Sequence, residues 1–403
     1  MFFRTKAERR PYHWGRFPLE VLPRDPHVAI REGLRKRPLA PGDVSEADNP
    51  LAQAALRYTR LFGAMATEEP ARLRAPVPDT PDVRAIDAKG YGYFLDATQI
   101  GICRLTARSW LPGEAELAHD YGLVLLVEHG RIPEADNLLH AWAKASVATI
   151  ATMRATEIAV CIARHFRLMG FDATAHCGNI SQLYLDRVAV LAGLCVRTER
   201  HLEAPYLGRR FAVAAVSTDY RMAVDKPLAP SALGAGGLAY WWGQNGATSG
   251  RERRRQAARK SHLSRYPMEQ VRRVERPTTR IDDDQVPRVP KRAAFFERAL
   301  RGDLGEKAKT QRSRFALKHP ASMAMAGPIR AMVPLQDGPL GDKPGPWRDP
   351  ATNARAIKSL SYMLGADLTG ICEIPRYAWF SHKEDGSPIE PYHRYAVVML
   401  IDQ

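Results

Sequence analysis

The chain has 403 residues, enough for two domains of ordinary size, each with its own core. Apolar residues make up 45% and aromatics 8%, which excludes the disordered and fibrous classes. A formal charge of +15, from 59 basic against 44 acidic side chains, admits an anionic or nucleic-acid partner. No uninterrupted apolar run reaches the roughly eighteen residues that a membrane helix needs. The opening "MFFRTKAERRPYHWGRF" has an Arg pair with no apolar stretch behind it, so neither a secretory nor a twin-arginine leader is expected, and the expected location is cytoplasmic with no membrane partner.

In chain order, the first clear element is a helix from Pro81 through "DVRAIDAKGYGYFLDA", with one apolar stripe and a turn at its end. A strand "TQIGICRL" follows, matched later in the chain by "DLTGICEI"; Gly101 in the one and Gly370 in the other allow another backbone to come close, and Cys103 and Cys372 are small buried hydrophobes. "YGLVLLVE" reads as a second, fully buried strand. "NLLHAWAKASVATIATMRATEIAVCIARHFRLMG" is a long helical run closed by Gly170. "FDATAHC" resembles a strand entering a loop, "QLYLDRVAVLAGLC" a helix, and "RRFAVAAVSTDY" a strand with an apolar centre.

Beyond this the character changes. "GAGG" from Gly234 lacks the strand–glycine–helix context of a dinucleotide site and is a turn. In "GLAYWWGQNG", Trp241 and Trp242 are expected to plug an interface between two halves, the other reading being an aromatic ligand platform. "RERRRQAARK", from Arg251 to Lys260, reads as a solvated linker helix in preference to a nucleic-acid site, since no stacking aromatics are interleaved with its charges. Asp282, Asp283 and Asp284 beside Arg280 read as a solvated loop in preference to a cation site.

The chain repeats itself. A shift of 372 − 103 = 269 positions carries Cys103 onto Cys372, and also Pro81 onto Pro350, Lys89 onto Lys358, Tyr93 onto Tyr362, Gly101 onto Gly370 and Trp110 onto Trp379. A shift of 270 carries Pro50 onto Pro320, and after five inserted residues "HDYGLVLLVE" from His119 aligns with "HRYAVVMLID" from His393. Collinear matches over such a length predict a duplicated unit. Strands alternating with helices give an α/β class. The second copy stops at its second strand, so the expected chain is a front portion or a product cut short.

The continuation of the first copy carries a family resemblance. "EIAVCIARHFRLMGFDATAH", "AVLAGLC" and "AAVSTDYRMAVDKPL" resemble the corrinoid-binding core of cobalamin-dependent reductive dehalogenases and the related epoxyqueuosine reductases. "RPTTRIDDDQVPRV", "FFERALRGDLG" and "IKSLSYMLGADLTGICEIPRYAWFSH" resemble the entry to the catalytic half of the same enzymes. The two-copy layout is similar to the soluble, catabolic branch. The resemblance implies a nitroreductase-like, corrinoid-binding-like α/β unit in duplicate, the second copy incomplete. Residues 1–231 are expected to form the complete but degenerate copy, 232–275 a basic, Gly- and aromatic-containing linker, and 276–403 the start of the catalytic-type copy. It implies reductive removal of halide from an aromatic organohalide with cobalamin, fed by two iron–sulfur clusters, with a Tyr supported by a Lys as acid.

The departures from the family limit what carries over. The five cysteines, Cys103, Cys161, Cys177, Cys195 and Cys372, contain no C-x-x-C spacing, so no iron–sulfur cluster and no metal site is expected, and an odd count suits reduced thiols. The family's A-G-L-G reads Ala192-Gly193-Leu194-Cys195, with a side chain where the last glycine would let backbone approach the corrin. The weak cofactor-binding candidates are His176, Cys177 and Asn179, expected in a loop at a strand end, together with Cys195. His382 and His393 are expected to be solvated loop residues, and no catalytic residue is assigned.

The expectation is therefore a reductive-dehalogenase-like chain, inactive alone. Its partner would be a continuation, or a second chain, carrying the clusters. The alternatives are a non-catalytic scaffold subunit whose strand edge such a chain completes, and, less favoured, an RNA-binding protein.

Overall fold

The computed structural model describes residues 11–35, 49–114, 116–199, 201–235, 237–242, 250–259, 284–314, 318–337 and 347–402, and between these residues 263, 264, 266, 268–272, 274, 275, 279, 280 and 282. Gly236, residues 243–246 of the aromatic stretch, Lys260, residues 276–278 and Asp283 lie outside the described residues. The helices are α1 (His27–Leu34), α2 (Pro50–Gly63), α3 (Pro81–Phe94), α4 (His140–Leu168), α5 (Leu185–Leu191), α6 (Leu238–Trp241), α7 (Gly250–Ala258), α8 (Phe295–Arg301), α9 (Glu306–Gln311), α10 (Pro320–Met332) and α11 (Pro350–Met363). The strands are β1 (Gln99–Arg104), β2 (Tyr121–Glu128), β3 (Ala173–Cys177), β4 (Val196–Arg197), β5 (Leu202–Glu203), β6 (Phe211–Thr218), β7 (Leu368–Glu373) and β8 (Tyr395–Leu400). They form a mixed helix and sheet, α/β, architecture in two compact units. One comprises Met1–Ile132, His140–Ala258 and Pro320–Asp342, and the other Pro133–Leu139, Arg259–His319 and Lys343–Gln403.

The helix starts follow from their sequence. Asn49 caps α2 through a 3.0 Å bond from Ala52 N to Oδ1, and Asp349 caps α11 from Ala351 N and Thr352 N. In each case Pro takes the next position, where its missing N–H costs nothing and its fixed φ suits the helix.

In the first unit the sheet order is β1-β2-β6-β3, every pair antiparallel. Side chains alternate between faces, so each strand feeds two cores. Leu123 and Leu125 of β2 face α2, α3 and α4 with Ile102, Ile158, Phe166 and Val216. Val124 and Leu126 face the other way, towards α5 and an N-terminal strap that contributes Phe17, Leu19 and Leu22. Covering on both faces explains why β2 is apolar along its length. Gly101 behaves as expected: a Cβ there would lie 2.1 Å from Ala192 O. The helix α4 is long and apolar enough to cross a membrane by length and composition, although no single uninterrupted apolar run is. Here α2, α10 and the sheet pack against it, and 15 of its residues are buried.

In the second unit, residues 133–139 pack on α11: Asn137 Nδ2 donates to Ser359 Oγ at 3.0 Å, and Arg355 pairs with Asp136 at 2.7 Å. Strands β7 and β8 form a two-stranded sheet. Its register, Leu368 opposite Leu400, is the counterpart of Gln99 opposite Leu126. Finer details recur as well. Tyr93 Oη accepts from Ile100 N at 3.1 Å, and Tyr362 Oη accepts from Thr369 N at 3.1 Å. Asp96 (φ 70) and Gly365 (φ 110) hold the same left-handed turn, and single-turn helices recur at Ala107–Ser109 and Arg376–Ala378.

Two expectations change in this unit. Cys372 is exposed, not a buried hydrophobe, and a Cβ on Gly370 would meet nothing within 4 Å. Both follow from a two-stranded sheet that, among the described residues, has no further layer on that face.

Helix α1 is held by a buried ion pair. Glu32 accepts from Arg197 Nε at 2.7 Å and Nη2 at 3.0 Å, both side chains are 4% exposed, and Arg197 Nη2 also reaches Asp186 at 2.9 Å. Removing Glu32 leaves the buried Arg197 charge with Asp186 alone and its Nε unpaired, which costs more than the pair itself contributes. Glu32→Ala is expected to destabilise the first unit by about 3 kcal/mol, read as a lower urea midpoint. The double variant Glu32→Met with Arg197→Met is expected to lose clearly less.

Candidate functional site

The residues singled out in the sequence separate in space. His176 and Cys177 are the last residues of β3 and not a loop, because β3 pairs with β6 as far as Cys177 opposite Ala214. Consecutive strand residues face opposite ways. Cys177 joins the core under α4, where burial pushes its thiol up to about 11, while His176 meets Trp110 edge to face at 5.9 Å on the other side. Asn179 lies exposed in the turn Gly178–Ile180. Cys195 is fully buried in the second core, and burial raises its thiol. The four do not converge. Among the described residues no three His, Cys, Asp or Glu side chains are grouped to hold a metal ion. Thiolates are the metal-binding and nucleophilic form, and burial moves Cys103 and Cys161 the wrong way, to about 12.

What His176 joins is a directed chain of polar groups that the sequence reading missed. Gln182 N donates to His176 Nδ1 at 3.2 Å, so the proton of this neutral ring sits on Nε2 and faces Ser217 Oγ at 2.8 Å. Ser217 in turn donates to His119 Nδ1 at 2.7 Å, which leaves His119 Nε2–H towards Asp172. Asp172 Oδ2 is 3.1 Å from Nε2 but off the line of a good hydrogen bond, so it acts as a nearby charge. The residue types suggest a nucleophile with its base, yet Ser217 is 0% exposed inside β6 and inaccessible to a substrate. The network satisfies buried polar groups. Its members lie 98 and 41 residues apart in sequence, so no local motif announced it.

The residues that carry the family resemblance meet elsewhere. Ala192-Gly193-Leu194 after α5, Ala223-Val224-Asp225 after β6, the exposed side of α3 and the strap residues 13–24 enclose a cavity of about 330 Å³. Asp225 ties its loop to β1: its N–H donates to Ile102 O and its Oδ2 accepts from Ile102 N, both at 2.8 Å. Its Oδ1 pairs with Lys89 at 2.7 Å. Arg24 crosses from the strap, with Nη1 bonded to Gly193 O at 3.0 Å and Lys226 O at 2.8 Å and Nη2 to Leu19 O at 2.9 Å. Burial lowers its pKa against the pull of Asp225 and Glu20. Gly193 has φ +68, and a Cβ there would lie 2.2 Å from Arg24 Nη1 and 2.4 Å from Lys226 O.

The remaining candidates have plainer roles. Trp242 is 61% exposed and Trp241 36%, and their neighbour Tyr240 packs on Tyr206 at 4.7 Å. The helix α7 is anchored, not fully solvated, because Arg253 pairs with Glu128 at 2.6 Å and lies over the Phe17 ring at 4.9 Å. Asp282 pairs with Arg280 at 2.9 Å in an exposed loop, as expected. His382 and His393 are both exposed, also as expected.

His176 gives a pH prediction. Burial, with a smaller effect from His119, pushes its pKa down to about 3 from an ordinary 6.5, and burial pushes His165 to about 4. Between these values the unfolded chain binds the proton and the folded one does not. The contribution is therefore complete above about pH 6.5 and is lost as the pH falls towards 3, at roughly 1.4 kcal/mol per pH unit for His176. Comparing urea unfolding of wild type and His176→Gln across this range isolates it: the variant should lose one proton's worth of slope.

No known family profile matches the chain, and no curated protein matches it. Solved structures do. A reductive dehalogenase studied for its B12-dependent dehalogenation matches with TM-score 0.90 and 39% identity over 100% of this chain and 58% of its own. The catabolic reductive dehalogenase NpRdhA matches with TM-score 0.90 and 38% identity, covering 100% of this chain and 57% of NpRdhA. The same enzyme in complex with 3-bromo-4-hydroxybenzoic acid matches with TM-score 0.90 and 39% identity, again over 100% and 57%. The chain thus spans somewhat more than half the length of these enzymes. With this identity sustained from end to end on one fold, it belongs to the family of the catabolic, cobalamin-dependent reductive dehalogenases.

Proposed function

We propose that this chain forms part of a reductive dehalogenase that removes halide from an aromatic organohalide, and that the chain alone is inactive. The observation that carries the reading is the 39% identity over its whole length to a B12-dependent dehalogenase, at a TM-score of 0.90. A relative holding 3-bromo-4-hydroxybenzoic acid supports an aromatic substrate. A cytoplasmic setting suits five unpaired cysteines.

On this reading residues 1–231 are a degenerate copy of the corrinoid-type unit, 232–275 a linker, and 276–403 the start of the catalytic-type copy. The recurrent hairpin register and the recurrent Tyr93 and Tyr362 hydrogen bonds support the duplication. The first copy does not fit a corrinoid. Small-molecule pockets span ~300–1,000 Å³, and the 330 Å³ cavity lies at the bottom of that range, with Arg24 and the Lys226 carbonyl already seated against Gly193. No step is assigned to the cofactor in this copy.

The proposed partner is the polypeptide, continuous with this one or separate, that supplies the clusters. It would dock where β2 differs from its counterpart. Strand β2 lies between β1 and β6, whereas among the described residues β8 pairs only with β7 and leaves Val398, Met399 and Leu400 about half exposed. Such an edge accepts an added antiparallel strand through its free backbone groups.

The test is a titration of the purified chain with cob(II)alamin, followed by assay for bromide released from 3-bromo-4-hydroxybenzoic acid under reducing conditions. No base-off spectrum and no bromide are expected from the chain alone, with both recovered when the matching remainder of a relative is supplied. A saturable base-off spectrum from the chain alone would contradict the reading.

A further inference from the structure

We infer that the cofactor site of the first copy is closed from within by the chain's own N-terminal strap, with Arg24 as its latch. The inference rests on the preceding reading, in which this copy descends from a corrinoid-type unit, and adds the physical means by which its site is shut.

The strap occupies space that small residues provide. The ring of Tyr12 lies over Gly90 of α3, where a Cβ would be 2.1 Å from the nearest ring carbon. Gly15, at φ +67, lies against the ring of Tyr93, where a Cβ would be 2.4 Å away. Phe17 is buried, stacked on Tyr206 at 5.3 Å and covered by Arg253, and Leu19 and Leu22 complete the core beside α5. Burial of these three apolar side chains anchors the middle of the strap and leaves its last residues to be fixed by Arg24.

Arg24 then joins the two stretches that resemble the family's cofactor-binding motifs. One guanidinium bonds a carbonyl of the Ala192-Gly193-Leu194 stretch, a carbonyl of the Asp225-Lys226 loop and a carbonyl of the strap itself. Three separate backbone segments are thereby fixed by a single charged fork, a use to which arginine's planar set of donors is suited. The positive φ and absent side chain of Gly193 admit a close neighbour, and that neighbour is Arg24. The expected obstacle, Cys195, is fully buried in the second core and is not among the residues that line the 330 Å³ cavity. The latch, not the substituted thiol, therefore closes the site.

The test compares the whole wild-type chain with Arg24→Ala and Arg24→Lys. Each is titrated with cob(II)inamide, which has no lower base, and followed by visible spectrum, with hydrogen exchange of residues 12–24 measured in parallel. Wild type should show a protected strap and no saturable binding. Arg24→Ala should raise strap exchange at least tenfold and bind the corrinoid at least tenfold more tightly than wild type. Arg24→Lys keeps the charge but loses the fork, so it should fold and fall between the two. It decides the matter if Arg24→Ala does not fold. Either variant with a loosened strap and no corrinoid binding would overturn the latch, as would a strap that stays protected in Arg24→Ala. In those cases the wild-type result still stands and the dehalogenase reading is untouched. Corrinoid binding by wild type itself would sink both.

Discussion

The antiparallel pairing of β2 with β6, eight residues from Tyr121 opposite Thr218 to Glu128 opposite Phe211, is the constraint on which the first unit depends. It sets a two-residue alternation that divides the interior into two cores, one roofed by α2, α3 and α4 and the other by α5 and the strap. A slip of one residue would turn Leu123 and Leu125 out of the first core and carry Ser217 away from both imidazoles. The polar chain and the apolar cores thus specify the same register. That agreement is what makes a buried serine between two histidines tolerable in the middle of a sheet.

Local rules made much of this legible. A Pro marked the start of α3, near-continuous apolar runs marked β1, β2 and β6, and an offset of 269, with five inserted residues before the last strand, announced a second pair of strands. The offset was more informative than any single motif, because it carried over whole elements in order and not single residues. What stayed hidden was long-range. Arg24 finds its acceptors 169 and 202 residues away, and His119 finds Ser217 across 98. No spacing rule encodes such partners, since each is set by the fold and not by the helix or strand period. The same limit explains why His176 and Cys177 drew notice as neighbours in sequence while the strand sent them to opposite cores.

The two hairpins show how far context decides burial. Leu126 in β2 is wholly buried, whereas its counterpart Leu400 in β8 is 57% exposed. The backbone geometry is shared, down to the hydrogen bond from Thr98 N to Leu126 O and its counterpart from Asp367 N to Leu400 O. The apolar residues of β8 that are about half exposed here correspond to the ones β2 uses to build two cores. Exposed apolar area of this kind on a strand edge is costly in water and is usually managed by pairing. This is the physical basis for placing the docking partner at β8.

On the proposed reading, the first copy also shows how a cofactor fold can keep its residues while changing their use. Gly193 and the Asp225 loop remain where the resemblance puts them, yet each now answers to another part of the chain. Asp225 is spent on Lys89 and on the backbone of β1, and the room beside Gly193 is taken by a guanidinium. Such positions would look preserved in sequence, because the strap requires the same absence of a side chain that a close-lying ligand would. A glycine at positive φ reports that something approaches closely, and only the fold reveals whether that something is a ligand or the protein itself.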